Sequence, residues 1–185
     1  MTSSSSSTLD RVRPLLRARQ VREFTEEAVD PAALEAITEV ARWSGSSRNT
    51  QPWRFIVIRE PATIRRLNEA GLPQTRSLRT ATAAIAIVLP ADPTGTASLT
   101  YDDGRAAERM LIAASMLDLG AGIAWIREDV RAAASQILGL PDDRLVRTVM
   151  ALGHPTEAAR QPKSAPGQAR LSRSELIFEE RWPGD

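Results

Sequence analysis

The chain has 185 residues, 42% apolar and 25% charged, which is material for one domain with a single sizeable core. Its net charge of +1 gives no field to hold nucleic acid or an anionic membrane, and its longest apolar run, 83–89, is far too short to cross a bilayer. The absence of cysteine excludes disulfides, thiolate catalysis and cysteine-ligated metals, and a lone histidine, His154, excludes a multi-histidine metal site.

Residues 1–8 open on a serine run with no apolar signal-peptide core, so they read as a disordered tail, and a cytoplasmic location is expected. The first predicted helix covers 31–43. Asp30 is placed to cap it, Pro31 suits its first position, and Leu34, Ile37 and Ala41 recur at helical spacing. The polar stretch 45–51 reads as a loop, and 53–58, rich in aromatic and β-branched residues, as a strand. A short helix over 61–70 closes at Gly71, and 83–89 reads as a strand buried on both faces.

A long helix is predicted over 104–119. Ala107, Met110, Leu111, Ala114 and Leu117 form its stripe, and Ile112 and Met116 widen it almost all round, as in a central core helix. Gly120 and Gly122 are read as its stop, followed by a strand over 123–126. Asp129 then caps a helix reaching about Leu138, and 145–152 is the last core strand. Residues 9–160 form the domain. The extension 161–185 is polar first and regains apolar side chains at Leu176, Ile177, Phe178 and Trp182, which need something to bury against. Helices and strands mix without regular alternation, so the fold class is α+β.

Three segments carry chemistry. Arg19 and Arg22 stand three residues apart in a short polar stretch and offer rigid donor forks to phosphate or a polarised carbonyl; alone, they read as solvated basic surface. Ser46, Ser47, Asn49 and Gln51, followed by Pro52 and Trp53, present directional donors and acceptors suited to a polar heterocycle or a ribityl chain. Gly120 and Gly122 lack the third glycine of a dinucleotide fingerprint, since position 125 is Trp125, and they follow a helix rather than a strand. Asp102 and Asp103 read as helix-capping residues, Asp142 and Asp143 as turn formers, and His154 as structural.

Taken in order, these segments resemble the nitroreductase family. The resemblance runs through Ala18-Arg19-Gln20-Val21-Arg22-Glu23-Phe24, the loop Ser44-Gly45-Ser46-Ser47-Arg48-Asn49-Thr50-Gln51-Pro52-Trp53-Arg54-Phe55, the helix end Leu119-Gly120-Ala121-Gly122-Ile123-Ala124-Trp125-Ile126, Gly153-His154-Pro155, and loosely 170–177. It implies an α+β fold with a central, mostly antiparallel sheet flanked by helices, in an intertwined homodimer whose extensions embrace the partner. FMN would lie at the interface. By the resemblance Arg19 and Gln20 sit near its phosphate and ribityl chain, and Arg22 reaches the N1–C2=O edge of the flavin. Ser46, Ser47, Asn49 and Gln51 come from the second subunit, Trp125 and Ile126 lie along the ring, and Arg170 holds the phosphate.

Ala18 stands where many members carry a phosphate-binding arginine, which turns attention to Arg17 and Lys163 as substitutes; Gln20 replaces a serine and Gly45 a proline. The implied activity is hydride transfer from NADH or NADPH, through flavin N5, to a nitroaromatic, quinone or similar small electrophile, in a ping-pong sequence with no protein nucleophile. Reductive dehalogenation, enone reduction, flavin breakdown and non-catalytic flavin binding remain open alternatives.

Overall fold

Four strands, β1 (Arg54–Ile58), β2 (Ala83–Pro90), β3 (Gly120–Trp125) and β4 (Arg144–Gly153), form one sheet in the order β1-β2-β4-β3. The computed structural model describes residues 7–161, 164 and 170–182. Every strand pairing is antiparallel, and helices flank the sheet, so the α+β expectation holds.

Strand β2 shows why the sheet is buried on both sides. Successive side chains alternate faces. Ile85, Ile87 and Leu89 enter one apolar cluster, with Ile37, Met110 and Met150. Ala84 and Ala86 enter the other, with Ile64, Leu67, Leu78, Val146 and Val149. Ile85, Ile87 and Leu89 are each 0% exposed, worth about 2 kcal/mol apiece in apolar burial.

The first cluster is covered by α2 (Pro31–Arg42) and α4 (Thr96–Met116), the second by α3 (Pro61–Ala70) and α5 (Arg131–Leu138). Helix α2 is capped as predicted, with Asp30 accepting the Ala32 N–H at 2.9 Å. Helix α5 ends on Gly139 at φ +64°, a left-handed stop natural to glycine. Asp129 does not cap α5; its carboxylate pairs with Arg127, and a single 3-10 turn, Glu128–Val130, precedes the helix.

Helix α4 begins eight residues before the predicted start. Gly104 lies inside it, and a Cβ there would meet nothing within 4 Å, so the glycine breaks nothing. Its apolar surface is only partly covered, because Met116 is 70% and Leu117 43% exposed. Helix α1 (Thr8–Arg17) escapes the sequence reading. Ser7 and Asp10 form its capping box, Pro14 interrupts its hydrogen bonding, and it buries no residue. Ser7 and Thr8, expected in a disordered tail, cap and open this helix, and residues 1–6 of that expected tail lie outside the described residues. Two single-turn helices complete the chain, α6 (Glu157–Arg160) and α7 (Arg173–Leu176).

Asp102 and Asp103 do not cap α4. They lie inside it, 1% and 6% exposed. Asp103 accepts the Thr148 hydroxyl at 2.7 Å, and its Oδ1 has no partner. Burial pushes this carboxyl up to about 6, against the opposing pull of Thr148 and Arg147. The folded chain therefore holds the proton more tightly than the unfolded chain, whose value is near 3.8. Stability from this group is full below that lower value and declines as pH rises through about 6. Asp103→Asn keeps an oxygen for Thr148 without the charge. In urea denaturation it is expected to match the parent near pH 4 and to exceed it by up to about 3 kcal/mol at pH 8. An advantage that fails to grow with pH would refute the assignment.

Candidate functional site

Strand β3 carries glycine at positions 120 and 122, and β4 ends on Gly153. A Cβ at Gly122 would stand 2.3 Å from the Val21 carbonyl oxygen, and one at Gly120 or Gly153 would meet Val21 or Phe24 within 3 Å. The segment 19–24 therefore lies directly against the sheet. Val21 N–H donates to the Ala121 carbonyl at 2.8 Å, Gln20 bridges Ala121, and Phe24 bridges Pro155. The glycines are not the expected helix stop. They are strand residues that make room for the N-terminal segment.

This crossing delivers Gln20 and Arg22 to the β3 edge. The Gln20 Oε1 accepts from Arg22 at 3.3 Å and from the Ile123 N–H at 3.4 Å. Arg22, Ile123 and Trp125 then line a cleft of about 300 Å³ with Pro73, Gln74 and Arg76. Trp125 is 54% exposed. Among the described residues neither Arg22 nor Arg76 has a carboxylate partner. The Gln74 Oε1 is buried without a hydrogen bond. An aromatic face, two available cations and an orphaned acceptor suit a flat polar ring that becomes anionic at one edge. Gln74 and Arg76 were not read from the sequence. They reach the cleft through the turn after α3, which no local pattern ties to β3.

Ile126 departs from expectation. It is 0% exposed and packs in the second cluster, and its N–H donates to the Arg147 carbonyl at 2.7 Å. Strand alternation turns it away from the cleft that Trp125 faces. Arg19 is also committed: its guanidinium donates to the Ala159 and Arg160 carbonyls, each at 2.6 Å. With Arg17 and Arg160 it lines a separate pocket of about 230 Å³. Ala18 packs on the first cluster. Arg170 is exposed just before α7, and Lys163 lies outside the described residues.

The second predicted group sits elsewhere. Ser46, Ser47, Asn49 and Gln51 lie in the loop that feeds β1, with a 3-10 turn at Ser47–Asn49. Arg48, Asn49 and Gln51 hold φ of 51°, 56° and 48°. Each left-handed non-glycine residue costs about 1 kcal/mol or more. Ser46 Oγ accepts the Gln51 N–H at 2.9 Å, Gln51 Nε2 donates to Asn49 at 3.3 Å, and Ser47 N–H donates to Asp102 of α4 at 3.2 and 3.3 Å. Phe55, Ile87, Thr148 and Trp125 form one row across the sheet. The loop and the Arg22–Trp125 cleft thus stand at the same end of the sheet but at opposite edges, three strand spacings or about 14 Å apart.

Among the described residues no helix is long and apolar enough to cross a membrane, and no group of three or more His, Asp or Glu could hold a metal ion. A groove of about 460 Å³ runs between α1, α2 and α4, lined by Leu15, Val40, Ile112, Met116 and Leu117.

Comparison with known proteins agrees with this architecture. The Nitroreductase family profile matches residues 15–88. A protein of Archaeoglobus fulgidus, assigned as an NADH dehydrogenase/NAD(P)H nitroreductase, is 31% identical over 148 residues, 75% of this chain and 82% of its own. A nitroreductase structure from Desulfovibrio desulfuricans, in complex with FMN, superposes with TM-score 0.74 at 27% identity, covering 97% of this chain and 100% of that one. An FMN-dependent nitroreductase of Clostridium difficile shares the fold, with TM-score 0.78 at 20% identity over 91% of this chain and 99% of that one.

The glycines give a direct test. Gly122→Ala forces the Val21 backbone off the sheet, and thermal denaturation is expected to show a loss of about 2–3 kcal/mol. Gly104→Ala, in open space within α4, is expected to gain about 0.5–1 kcal/mol. Equal effects at the two positions would mean that the close crossing is unimportant.

Proposed function

The chain belongs to the nitroreductase family, and we propose that it works as an FMN-dependent oxidoreductase built from two copies. The observation that carries this reading is the cleft where Arg22, the unpartnered Gln74 oxygen and the exposed Trp125 converge. When bound, FMN supplies hydride transfer from NADH or NADPH to a small electrophile such as a nitroaromatic or quinone, the two substrates alternating at one face.

Every other role falls to the protein. Arg22 provides a cation for the ring edge that gains negative charge, and Gln20 orients it through the 3.3 Å hydrogen bond. A contacting charge pair at an effective dielectric of about 20 is worth roughly 4 kcal/mol, an upper scale for the bias toward the reduced state. Gln74 offers its oxygen to a ring N–H, and Trp125 supplies an apolar surface along the ring. Arg19, fixed by two carbonyls, and Arg170 are assigned to the phosphate. No side-chain nucleophile is required.

The Ser46, Ser47, Asn49 and Gln51 group is assigned to the partner copy. Within one chain it lies at the opposite edge of the sheet, and in this reading a second copy brings it to the Arg22 cleft. The groove along α1, α2 and α4 supports the pairing, because Leu15, Val40, Met116 and Leu117 there are 53%, 38%, 70% and 43% exposed. A cytoplasmic location suits a donor of this class.

The purified protein is expected to be yellow, to elute as a dimer, and to bleach when NADH or NADPH is added without oxygen. Double-reciprocal plots with donor and acceptor are expected to be parallel. Arg22→Ala should slow flavin reduction at least tenfold while changing FMN affinity less. A colourless monomer that takes up no FMN would end this reading.

A further inference from the structure

The loop 46–51 keeps three non-glycine residues at left-handed φ, so its contacts must hold it in that shape. Some are internal, among them Gln51 N–H to Ser46 Oγ at 2.9 Å. A contact from outside comes from α4: both carboxylate oxygens of Asp102 receive the Ser47 N–H, at 3.2 and 3.3 Å. Asp102 is 1% exposed, a costly place for a carboxylate that has so few partners. Among the described residues its ion-pair partner is Arg105, at 3.7 Å one turn along the same helix. The Arg105 guanidinium occupies the space where a side chain at position 45 would begin, since a Cβ on Gly45 would stand 2.1 Å from its Nη2. Asp102, Arg105 and Gly45 thus form a bracket on the loop from the α4 side.

We propose that Asp102 is a positioning residue for cofactor binding. It holds the loop carrying Ser46, Ser47, Asn49 and Gln51 in the one conformation that presents these groups to the flavin, and Arg105, seated over Gly45, keeps the bracket closed. The assignment rests on the flavin reading above. It concerns a residue that meets the loop through the Ser47 N–H and acts through the loop backbone. Without the Asp102 acceptor the strained residues relax toward ordinary φ, and the binding groups lose their shared orientation.

The test measures FMN dissociation by quenching of flavin fluorescence, with thermal unfolding of the flavin-free protein followed in parallel. Asp102→Ala is expected to weaken FMN binding about a hundredfold while the protein still melts cooperatively. Asp102→Asn keeps an oxygen toward Ser47 and is expected to recover affinity to within about tenfold of the parent. Gly45→Ala, which leaves Asp102 in place and displaces Arg105, is expected to weaken FMN about tenfold; it decides the matter if Asp102→Ala fails to fold. An Asp102→Ala protein binding FMN within threefold of the parent overturns the assignment, and so does an Asn variant as impaired as the Ala variant. A parent protein with no affinity for FMN overturns the flavin reading, and this assignment with it.

Discussion

The site at the β3 edge depends on the contact between the backbone of 19–24 and a strand surface stripped of side chains. Polar segments near a terminus ordinarily hang in solvent. Here Val21 and Phe24 are buried, at 8% and 4% exposure, because Gly120, Gly122 and Gly153 leave a trough for them. The polar residues between and beside them then have fixed positions. Gln20 is tied to Ile123, Arg22 is tied to Gln20, and Arg22 lines the cleft with Trp125. The apolar anchors set the register, and the cations inherit it.

Helix α4 performs the corresponding task for the 46–51 loop, the proposed other half of the site. Its inner side belongs to the core through Met110, Leu111 and Ala114. One turn near its beginning holds two buried carboxylates facing different neighbours. Asp102 reaches the loop before β1, and Asp103 reaches Thr148 on β4, in the same row as Trp125. A single rigid rod thereby references the loop before the edge strand β1 and the interior strand β4 beside β3. Buried carboxylates are a poor source of stability, so their presence here argues for geometry.

Much of this was legible in the sequence where one residue's physics suffices. Asp30 and Pro31 announce α2, the 83–89 run announces β2, and Gly71 and Gly139 mark real helix ends. The polar loop and the basic segment stand out as candidates by their chemistry. What escaped was set by distant partners. Helix α1 hides because Pro14 breaks its pattern and none of its residues is buried. Asp102 and Asp103 looked like caps because the donors they accept from lie 55 and 45 residues away. Ile126 looked like a ring contact, but strand alternation turns it inward. Gln74 and Arg76 join the cleft only through tertiary folding, and the trough-forming glycines mimic a helix stop because nothing local names the segment they admit.

The placement of the two binding groups at opposite margins of one sheet has a consequence for inheritance of function in the proposed dimer. Each cleft would draw one wall from each chain, so a chain damaged at Arg22 and a chain damaged at Asn49 are not equivalent failures. Co-expressed, they would assemble mixed pairs in which one cleft collects both lesions and the other collects none. Two dead alleles would then restore part of the activity between them.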